Sequence, residues 1–367
     1  MIEHAKGNLL EADTEALVNT VNCVGRMGKG IALQFKQAYP DNFREYQRAC
    51  RAREVRPGKM FVHDTERMVN PRYIINFPTK RHWRGKSQIP DIRAGLQGLI
   101  EEVRRRGIKS IAVPPLGCGN GGLSWSTVRP LIIEAFQRVP DVRVVLFSPL
   151  GAPDAKTMPI RTTRPSMTAA RALLVKLIEQ YEQLAYRLTL LEIQKLAYFL
   201  QEAGENLRLR YEAGHYGPFA ANLNKVLERI EGHFIRGYGD SQKPDAEIEL
   251  LPSAIAEADA FLYGKTAVLG RLNRVGELVE GFETPYGIEL LSSVHWVGTR
   301  NQPPPTNAES AVQAVSGWNA RKREMFKAQH IRVAWSRLVD AGWLPCGAAA
   351  AGQGGRWPEG TPHSGAR

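Results

Sequence analysis

Short apolar runs alternate with amphipathic stretches through the first half of the chain. The runs are rich in β-branched and aromatic residues, as strands are, and they read ALVNTV, MFVH, YIINF, SIAVPPL and VRVVLF. Between two of them, DIRAGLQGLIEEVRRRG repeats its apolar residues at helical spacing and ends at Gly107. Strands that are apolar on both faces and alternate with helices predict a sheet covered on both sides. We therefore expect an α/β domain with three α/β/α layers and a mixed sheet.

The pattern changes near residue 151. Residues 151–166 are rich in Pro and Thr and lack apolar periodicity, which is typical of a linker. The stretches that follow, such as TAARALLVKLIEQYEQLAYRL, carry the broad apolar stripes of packed helices. From Gly347 onward the chain is rich in Gly and Ala and poor in large apolar residues. These features predict a first domain over residues 1–155, a linker over 156–167, a mainly α-helical second domain over 168–346 and a disordered tail over 347–367.

Charge is divided unevenly between these parts. The 367 residues include 49 Lys and Arg against 37 Asp and Glu, a formal net charge of +12. Residues 1–150 hold 24 of the basic and 14 of the acidic residues, which makes the first domain strongly basic. A basic domain predicts an acidic partner, and a polyanion is the first candidate. Residues 245–289 have the opposite character, with nine acidic and three basic residues.

The sequence predicts neither a membrane segment nor a metal site. No apolar run is long enough to span a bilayer, and the first residues lack the basic and apolar regions of a signal peptide. The four cysteines, Cys23, Cys50, Cys118 and Cys346, form no CxxC pair and are expected to be reduced thiols. We expect a cytoplasmic protein that needs no metal and no cofactor.

Two glycine-rich segments follow apolar runs in the first domain. They are NTVNCVGRMGKGIA, residues 19–32, and PPLGCGNGGLSW, residues 114–125. Glycines allow successive backbone N–H groups to converge on phosphate oxygens, and a following helix N-terminus adds a favourable field. The pair predicts a site for a diphosphate, and tight turns between strand and helix are the alternative. The second segment also satisfies GxGxxG, but the next run lacks the acidic residue of a dinucleotide site, so an oxidoreductase is a weaker alternative.

A third segment, IINFPTKRHWRGKS, ends an apolar run in a basic loop. Its cationic side chains interleave with His82 and Trp83, which suits a single nucleic-acid strand because aromatic rings stack on bases while cations pair with phosphates. A solvated basic loop is the alternative. Lys80 differs from its neighbours because it stands just beyond the strand end, where side chains of an α/β sheet line a ligand crevice.

Taken in order, ALVNTVNC, GRMGKGIA, FPTK and GCGNGGLSW resemble the motifs of macrodomains from the deADP-ribosylating branch that uses a lysine. Over its whole length the chain is similar to the DarG family of bacterial DNA ADP-ribosyl glycohydrolase antitoxins. The resemblance implies that the macrodomain hydrolyses the N-glycosidic link between ADP-ribose and thymidine in single-stranded DNA. It also implies that the C-terminal domain binds and inhibits a cognate DarT-type toxin. The alternative is a scaffold protein whose macrodomain module binds ADP-ribose without cleaving it.

The resemblance also assigns roles to individual residues. It makes Lys80 and Asn22 catalytic, and no residue is expected to bind a metal ion. Contacts with ADP-ribose are implied for Asn8, Leu9, Asn19, Asn22, Gly28, Gly30, Ile31, Gly117, Cys118, Gly119, Asn120 and Gly121. The residues of the basic loop that we expect to bind DNA are Arg81, His82, Trp83, Arg84 and Lys86.

Two departures from the related enzymes leave chemistry open. Those that use a lysine pair it with an aspartate in the second loop, where this chain has Asn120 followed by Gly121. Many macrodomains bind adenine with an aspartate where this chain has Asn8, whose side-chain carbonyl can accept the same hydrogen bond. A neutral Lys80, favoured by burial or by a cation such as Arg81, can attack the anomeric carbon of the ribose, or the aldehyde of the opened ring to give a Schiff base. A protonated Lys80 can instead assist the departing base or clamp a phosphate.

The acidic residues 245–289 suggest a role for the second domain. Their net charge of −6 can face the DNA-binding surface of a toxin and so compete with nucleic acid. An ordinary solvated acidic face is the alternative.

Overall fold

The computed structural model describes residues 1–149, 158–182, 188–239 and 244–345. Its residues cluster into two compact units, and each is described by itself. The first unit comprises residues 1–179, 187–190 and 224–261, and the second comprises residues 180–186, 191–223 and 262–367. The predicted tail over 347–367 and Cys346 lie outside the described residues.

Strands and helices alternate through the first part of the chain, as the hydrophobic pattern predicts. The strands are β1 Ile2–Ala5, β2 Ala16–Asn22, β3 Phe61–Asp64, β4 Tyr73–Lys80, β5 Ser110–Val113, β6 Arg143–Phe147, β7 Tyr211–Gly214, β8 Gly217–Ala220, β9 Ile235–Arg236 and β10 Glu249–Leu250. The helices are α1 Gly30–Ala38, α2 Pro40–Arg51, α3 Ile89–Arg106, α4 Trp125–Phe136, α5 Ala169–Glu182, α6 Leu190–Glu202, α7 Leu223–Ile230, α8 Pro252–Leu262, α9 Thr266–Val279, α10 Pro285–Arg300, α11 Ala308–Trp318, α12 Ala320–Met325 and α13 Ala328–Asp340.

The first unit is built on a six-stranded mixed sheet in the order β1-β6-β5-β2-β4-β3. All neighbouring strands are parallel except β3, which pairs antiparallel with β4. Because successive side chains of a strand point to opposite faces, Val18 and Ile75 join the core with α3 and α4, whereas Leu17 and Ile74 join the core with α1. The prediction of three α/β/α layers with a mixed sheet is confirmed.

The predicted boundary between the domains differs from the boundary between the two compact units. Part of α5 and residues 224–261, which include α7 and α8, cluster with the first unit. Residues 158–167 of the predicted linker also bond within that unit, since the Arg161 amide donates to the Gln37 carbonyl at 2.8 Å and Arg164 pairs with Glu257 at 2.5 Å. Where the functional domains begin and end stays a prediction.

The second unit is mainly helical, as predicted. Its helices α9–α13 and most of α6 accompany the hairpin of β7 and β8. Its core is partly polar, because Glu289 and Lys322 are both almost fully buried and form an ion pair at 2.9 Å. Such a pair is satisfied only while both partners are present.

The described residues contain neither a helix that could span a membrane nor a group of metal ligands. No helix there has both the length and the hydropathy that a bilayer span requires. No three His, Cys, Asp or Glu side chains are grouped there as ligands for a metal ion.

Candidate active site

Three loops leave the sheet at the same edge, because β2, β4 and β5 are parallel and adjacent. Residues 23–30 after β2 form the first glycine loop, residues 81–88 after β4 form the basic loop, and residues 114–124 after β5 form the second glycine loop. The carboxyl ends of parallel strands are where ligands bind in open α/β sheets. The three segments that the sequence analysis selected separately therefore lie at one edge.

Lys80 lies where these loops meet. As the last residue of β4 it is half-buried, and its Nζ donates a hydrogen bond to the backbone carbonyl of Asn120 at 2.9 Å. The first glycine loop reaches the same residue, since a Cβ built on Gly30 would lie 3.4 Å from Asn120 Nδ2. Lys80 and the first glycine loop thus both approach Asn120 of the second glycine loop.

The surroundings of Lys80 lower its pKa below the ordinary value of 10.5. Burial contributes most, and the positive charges of Lys29 and Lys86 add to it. Arg81, the cation named from the sequence, is not among the causes, because it pairs with Asp91 at 3.0 Å. The direction of the predicted shift is therefore found, but the cations responsible are Lys29 and Lys86, which approach from two different loops.

Asn22 shapes the first glycine loop. Its Oδ1 accepts hydrogen bonds from the amides of Val24 and Arg26 at 3.0 and 3.3 Å, and its Nδ2 donates to the Arg26 carbonyl at 2.6 Å. The Tyr46 hydroxyl donates to the Asn22 carbonyl from α2. Contact between the Asn22 amide and a ribose hydroxyl stays a prediction.

The second glycine loop packs tightly on the end of the basic loop. The Ser87 amide donates to the Gly121 carbonyl at 3.0 Å, and a Cβ built on Gly121 would lie only 2.2 Å from Ser87 Oγ. Gly117 has a positive φ of 72°, which favours glycine. Gly119 is exposed, and no heavy atom lies within 4 Å of a Cβ built on it. The loop is therefore rigid on its inner side and open at Gly119.

Most of the basic loop is exposed. Trp83 is 41% exposed and stacks on the Arg84 guanidinium at 4.6 Å, with the His82 ring 5.4 Å away. Lys86 lies beside the second glycine loop, 3.4 Å from a Cβ built on Gly122. Arg81 is exposed but bound to Asp91, so it is less available to DNA than the sequence analysis assumed.

The other residues predicted to contact ADP-ribose lie in different environments. Asn8 caps a 3-10 turn over Leu9–Glu11, accepting from the Leu10 amide at 3.0 Å, while Leu9 is buried in the core. Asn19 is fully buried and donates to Asn76 Oδ1 at 3.0 Å, which does not favour its predicted ligand contact. Ile31 lies in the first turn of α1.

Cys118 is half-buried in the second glycine loop. Burial raises the pKa of its thiol to about 11, so the thiol stays protonated at neutral pH. A role as a nucleophile is therefore disfavoured, while the backbone of Cys118 remains able to contact a ligand.

Three residues of this site were not predicted from the sequence. Lys29 precedes α1 and acts on Lys80, Ser87 braces the second glycine loop, and Asp91 binds Arg81. The sequence signals were the position of Lys29 within the first glycine-rich segment and that of Ser87 at the end of the basic segment.

Comparison with known proteins agrees with the geometry. The Macro domain family model matches residues 18–132, which span all three loops. A DNA ADP-ribosyl glycohydrolase of Thermus aquaticus is 45% identical over 94% of this chain and 94% of its own length. The chain belongs to the DNA ADP-ribosyl glycohydrolase family. It is therefore an enzyme of a known class, and the recognition made from the four motifs is confirmed.

Two further relatives match the macrodomain region. The macrodomain of Mycobacterium tuberculosis DarG is 58% identical and covers 41% of this chain and 98% of its own, with a TM-score of 0.40. A protein of Thermosipho africanus named as a fusion of a DNA ADP-ribosyl transferase and a DNA ADP-ribosyl glycohydrolase is 34% identical. That match covers 42% of this chain and 44% of the fusion protein.

Proposed function

We propose that the first unit hydrolyses the N-glycosidic bond between ADP-ribose and thymidine in single-stranded DNA, with Lys80 as the reacting side chain. One observation carries the proposal. The Lys80 amine lies 2.9 Å from the Asn120 carbonyl, between two glycine loops suited to a diphosphate. The activity named for the Thermus aquaticus relative, which aligns along nearly the whole chain, supports the same reaction class.

The two glycine loops would hold the ADP-ribose from opposite sides. Gly28, Gly30 and Ile31 offer backbone groups at the start of α1, where the helix field favours an anion. Gly119 offers an exposed, unobstructed backbone on the other side. Asn22 would then approach the distal ribose, beside the bond that breaks. Asn8 would accept the adenine amino group with the remaining lone pair of its Oδ1.

Lys80 has two possible roles in the step. A neutral amine attacks the anomeric carbon as the glycosidic bond breaks, the thymine nitrogen takes the bonding pair and the proton that the amine loses, and the base stays in the strand. Water then hydrolyses the bond between the lysine and the ribose and releases ADP-ribose. A protonated amine instead donates its proton to the departing base. The lowered pKa favours the first role, because more of the amine is neutral at a given pH.

The basic loop would hold the DNA strand next to the modified nucleotide. The exposed Trp83 ring offers a stacking surface for a base, and Arg84 and Lys86 offer charges for phosphates. His82 lies beside Trp83, and Arg81 would contribute to the local field despite its pairing with Asp91.

We further propose that the C-terminal part of the chain binds and inhibits a DarT-type toxin. The support is the Thermosipho africanus relative, in which a transferase and a glycohydrolase are named as one fusion protein. The acidic residues 245–289 do not form one surface of the second unit. Those up to residue 259 belong to the first unit, and Glu289 is buried against Lys322. Competition with DNA would therefore rest on Glu277, Glu280 and Glu283 in the second unit.

The test is turnover of a single-stranded oligonucleotide carrying ADP-ribose on thymidine, followed by mass spectrometry. We expect the intact chain to restore unmodified DNA and Lys80→Ala to lose the reaction. Lys109→Ala is the matched control, because Lys109 is exposed and precedes β5 at the opposite edge of the sheet. If Lys80→Ala turns over normally, the assignment of Lys80 is wrong. If neither protein reacts while both bind ADP-ribose, the binding-module alternative replaces the enzyme.

A further inference from the structure

The first glycine loop is covered by a later part of the same unit. The cover is the segment 223–239, formed by α7, β9 and the turn after them, and all but its first residue clusters with the first unit. The amide of Gly30, the first residue of α1, donates to the Gly239 carbonyl at 2.7 Å. An amide that would face a ligand oxygen in the proposed site is therefore already bonded to this segment.

A negative charge of the same segment also reaches the loop. Glu228 on α7 forms an ion pair with Lys36 of α1 at 2.6 Å. Its carboxylate lies 3.2 Å from where a Cβ on Gly28 would stand. A carboxylate and a carbonyl oxygen thus approach Gly28 and Gly30, the two glycines whose backbone is expected to approach the diphosphate.

The segment is held in this position by its own fold. Glu231 accepts hydrogen bonds from the amides of Gly237 and Tyr238 at 3.1 and 3.2 Å, which fixes the turn before Gly239. Gln37 of α1 is buried and donates to the Glu231 carbonyl at 2.8 Å. The position of the segment is therefore defined by several bonds, both within the segment and to α1.

We infer that the segment 223–239 is an internal competitor of the substrate, in which Glu228 and the Gly239 carbonyl stand in for oxygens of the diphosphate and must leave before ADP-ribose binds. The inference rests on the proposed function of the first glycine loop. Because the Gly239 carbonyl occupies the Gly30 amide and Glu228 places its negative charge beside Gly28, the segment and ADP-ribose exclude each other. A substitution that weakens the contacts of the segment therefore strengthens ADP-ribose binding.

The experiment compares full-length wild type with Glu228→Gln, which keeps the shape of the side chain and removes its charge. Binding of free ADP-ribose is measured by calorimetry. We expect the variant to bind about fivefold tighter or more, a typical size for coupling between two competing states. Glu249→Gln is the control for a general loss of negative charge, because Glu249 is exposed in the same unit. It should bind as the wild type does.

Hydrogen exchange on the wild type measures the displacement itself. Peptides from residues 224–239 should exchange faster when ADP-ribose is bound. If ADP-ribose binds but Glu228→Gln shows equal or weaker affinity, or the segment exchanges at the same rate or more slowly, the competitor is refuted and the ADP-ribose site stands. If no protein binds ADP-ribose, the proposed site fails and this inference fails with it.

Discussion

Gly121 in the second glycine loop leaves no room for a side chain, while Gly119 two residues earlier does. A Cβ on Gly121 would lie 2.2 Å from Ser87 Oγ and 2.3 Å from the Gly117 carbonyl oxygen. Ser87 cannot yield easily, because it is buried and its amide is bonded to the Gly121 carbonyl. The Gly117 carbonyl is also fixed, since it accepts from the Leu123 amide at 3.1 Å. Gly121→Ala must therefore displace the backbone of the loop.

The cost follows from overpacking. An inserted carbon that forces backbone shifts destabilises a protein by about 1–3 kcal/mol. In a unit of this size each kcal/mol lowers Tm by about 2–4 °C, so we expect Gly121→Ala to lower Tm by about 2–12 °C. Gly119→Ala adds a Cβ in open space at an ordinary φ, and it restricts the unfolded chain. Its free energy of unfolding should stay unchanged or rise by about 0.4–1 kcal/mol.

Thermal unfolding and ADP-ribose binding of the two variants separate packing from ligand contact. Gly121→Ala should lower both Tm and affinity, because the displaced loop carries the ligand groups. Gly119→Ala should keep its Tm and lose affinity, because its Cβ occupies space that the phosphates need. A Gly121→Ala protein with wild-type Tm would refute the packing argument. A Gly119→Ala protein with wild-type affinity would show that the ligand does not approach at Gly119.

Two further predictions concern buried and exposed charges. Lys195 is buried, and burial lowers its pKa to about 7. Between about pH 7 and pH 10 the unfolded chain therefore binds one proton more than the folded chain, and the free energy of unfolding rises with pH over that range. The free energy of unfolding is measured in urea at pH 7 and pH 9. Lys195→Met should reduce its rise with pH by up to about 1.4 kcal/mol per pH unit, whereas Lys327→Met, at an exposed lysine, should leave the rise unchanged. A wild-type free energy of unfolding that does not change with pH would contradict the burial argument. Arg84→Ala should weaken affinity for an unmodified single DNA strand and reduce the slope of log affinity against log salt concentration by about 1. Arg81→Ala should have a smaller effect, because Arg81 pairs with Asp91. Equal losses of affinity in the two variants would contradict this difference between the arginines.

The sheet is predictable from the sequence because each strand is indicated by its own residues. Each strand is a short apolar run, and Val18 and Leu17 reach opposite cores simply because neighbouring side chains alternate. No local pattern in the sequence predicts that α7 packs in the first unit. Its buried residues Leu223, Leu227 and Ile230 have the spacing of any amphipathic helix, and that spacing does not say which core they join.

The same limit applies to the candidate site. The parallel strand ends at Asn22 and Lys80 are predictable, because strand order follows from connection rules and apolar runs. The partners of their side chains are not predictable. Arg81 follows Lys80 in sequence but bonds to Asp91 at the start of α3, whereas Lys29 acts on Lys80 from fifty-one positions away. Neighbours in space are set by tertiary packing, which a single sequence records only indirectly.

The second glycine loop has Asn120 and Gly121 where the resemblance leads us to expect an aspartate, and this difference gives the remaining argument about mechanism. A carboxylate next to a lysine raises its pKa and keeps it protonated. Here Lys80 bonds to the neutral carbonyl of Asn120, and the charges that act on it are Lys29 and Lys86, so its pKa is lowered. If the neutral amine attacks the ribose, the rate must rise with pH through this lowered pKa and then level. Lys29→Gln must move that rise to higher pH, because it removes one positive charge. A rate that falls with pH over the same range would identify Lys80 as the acid instead.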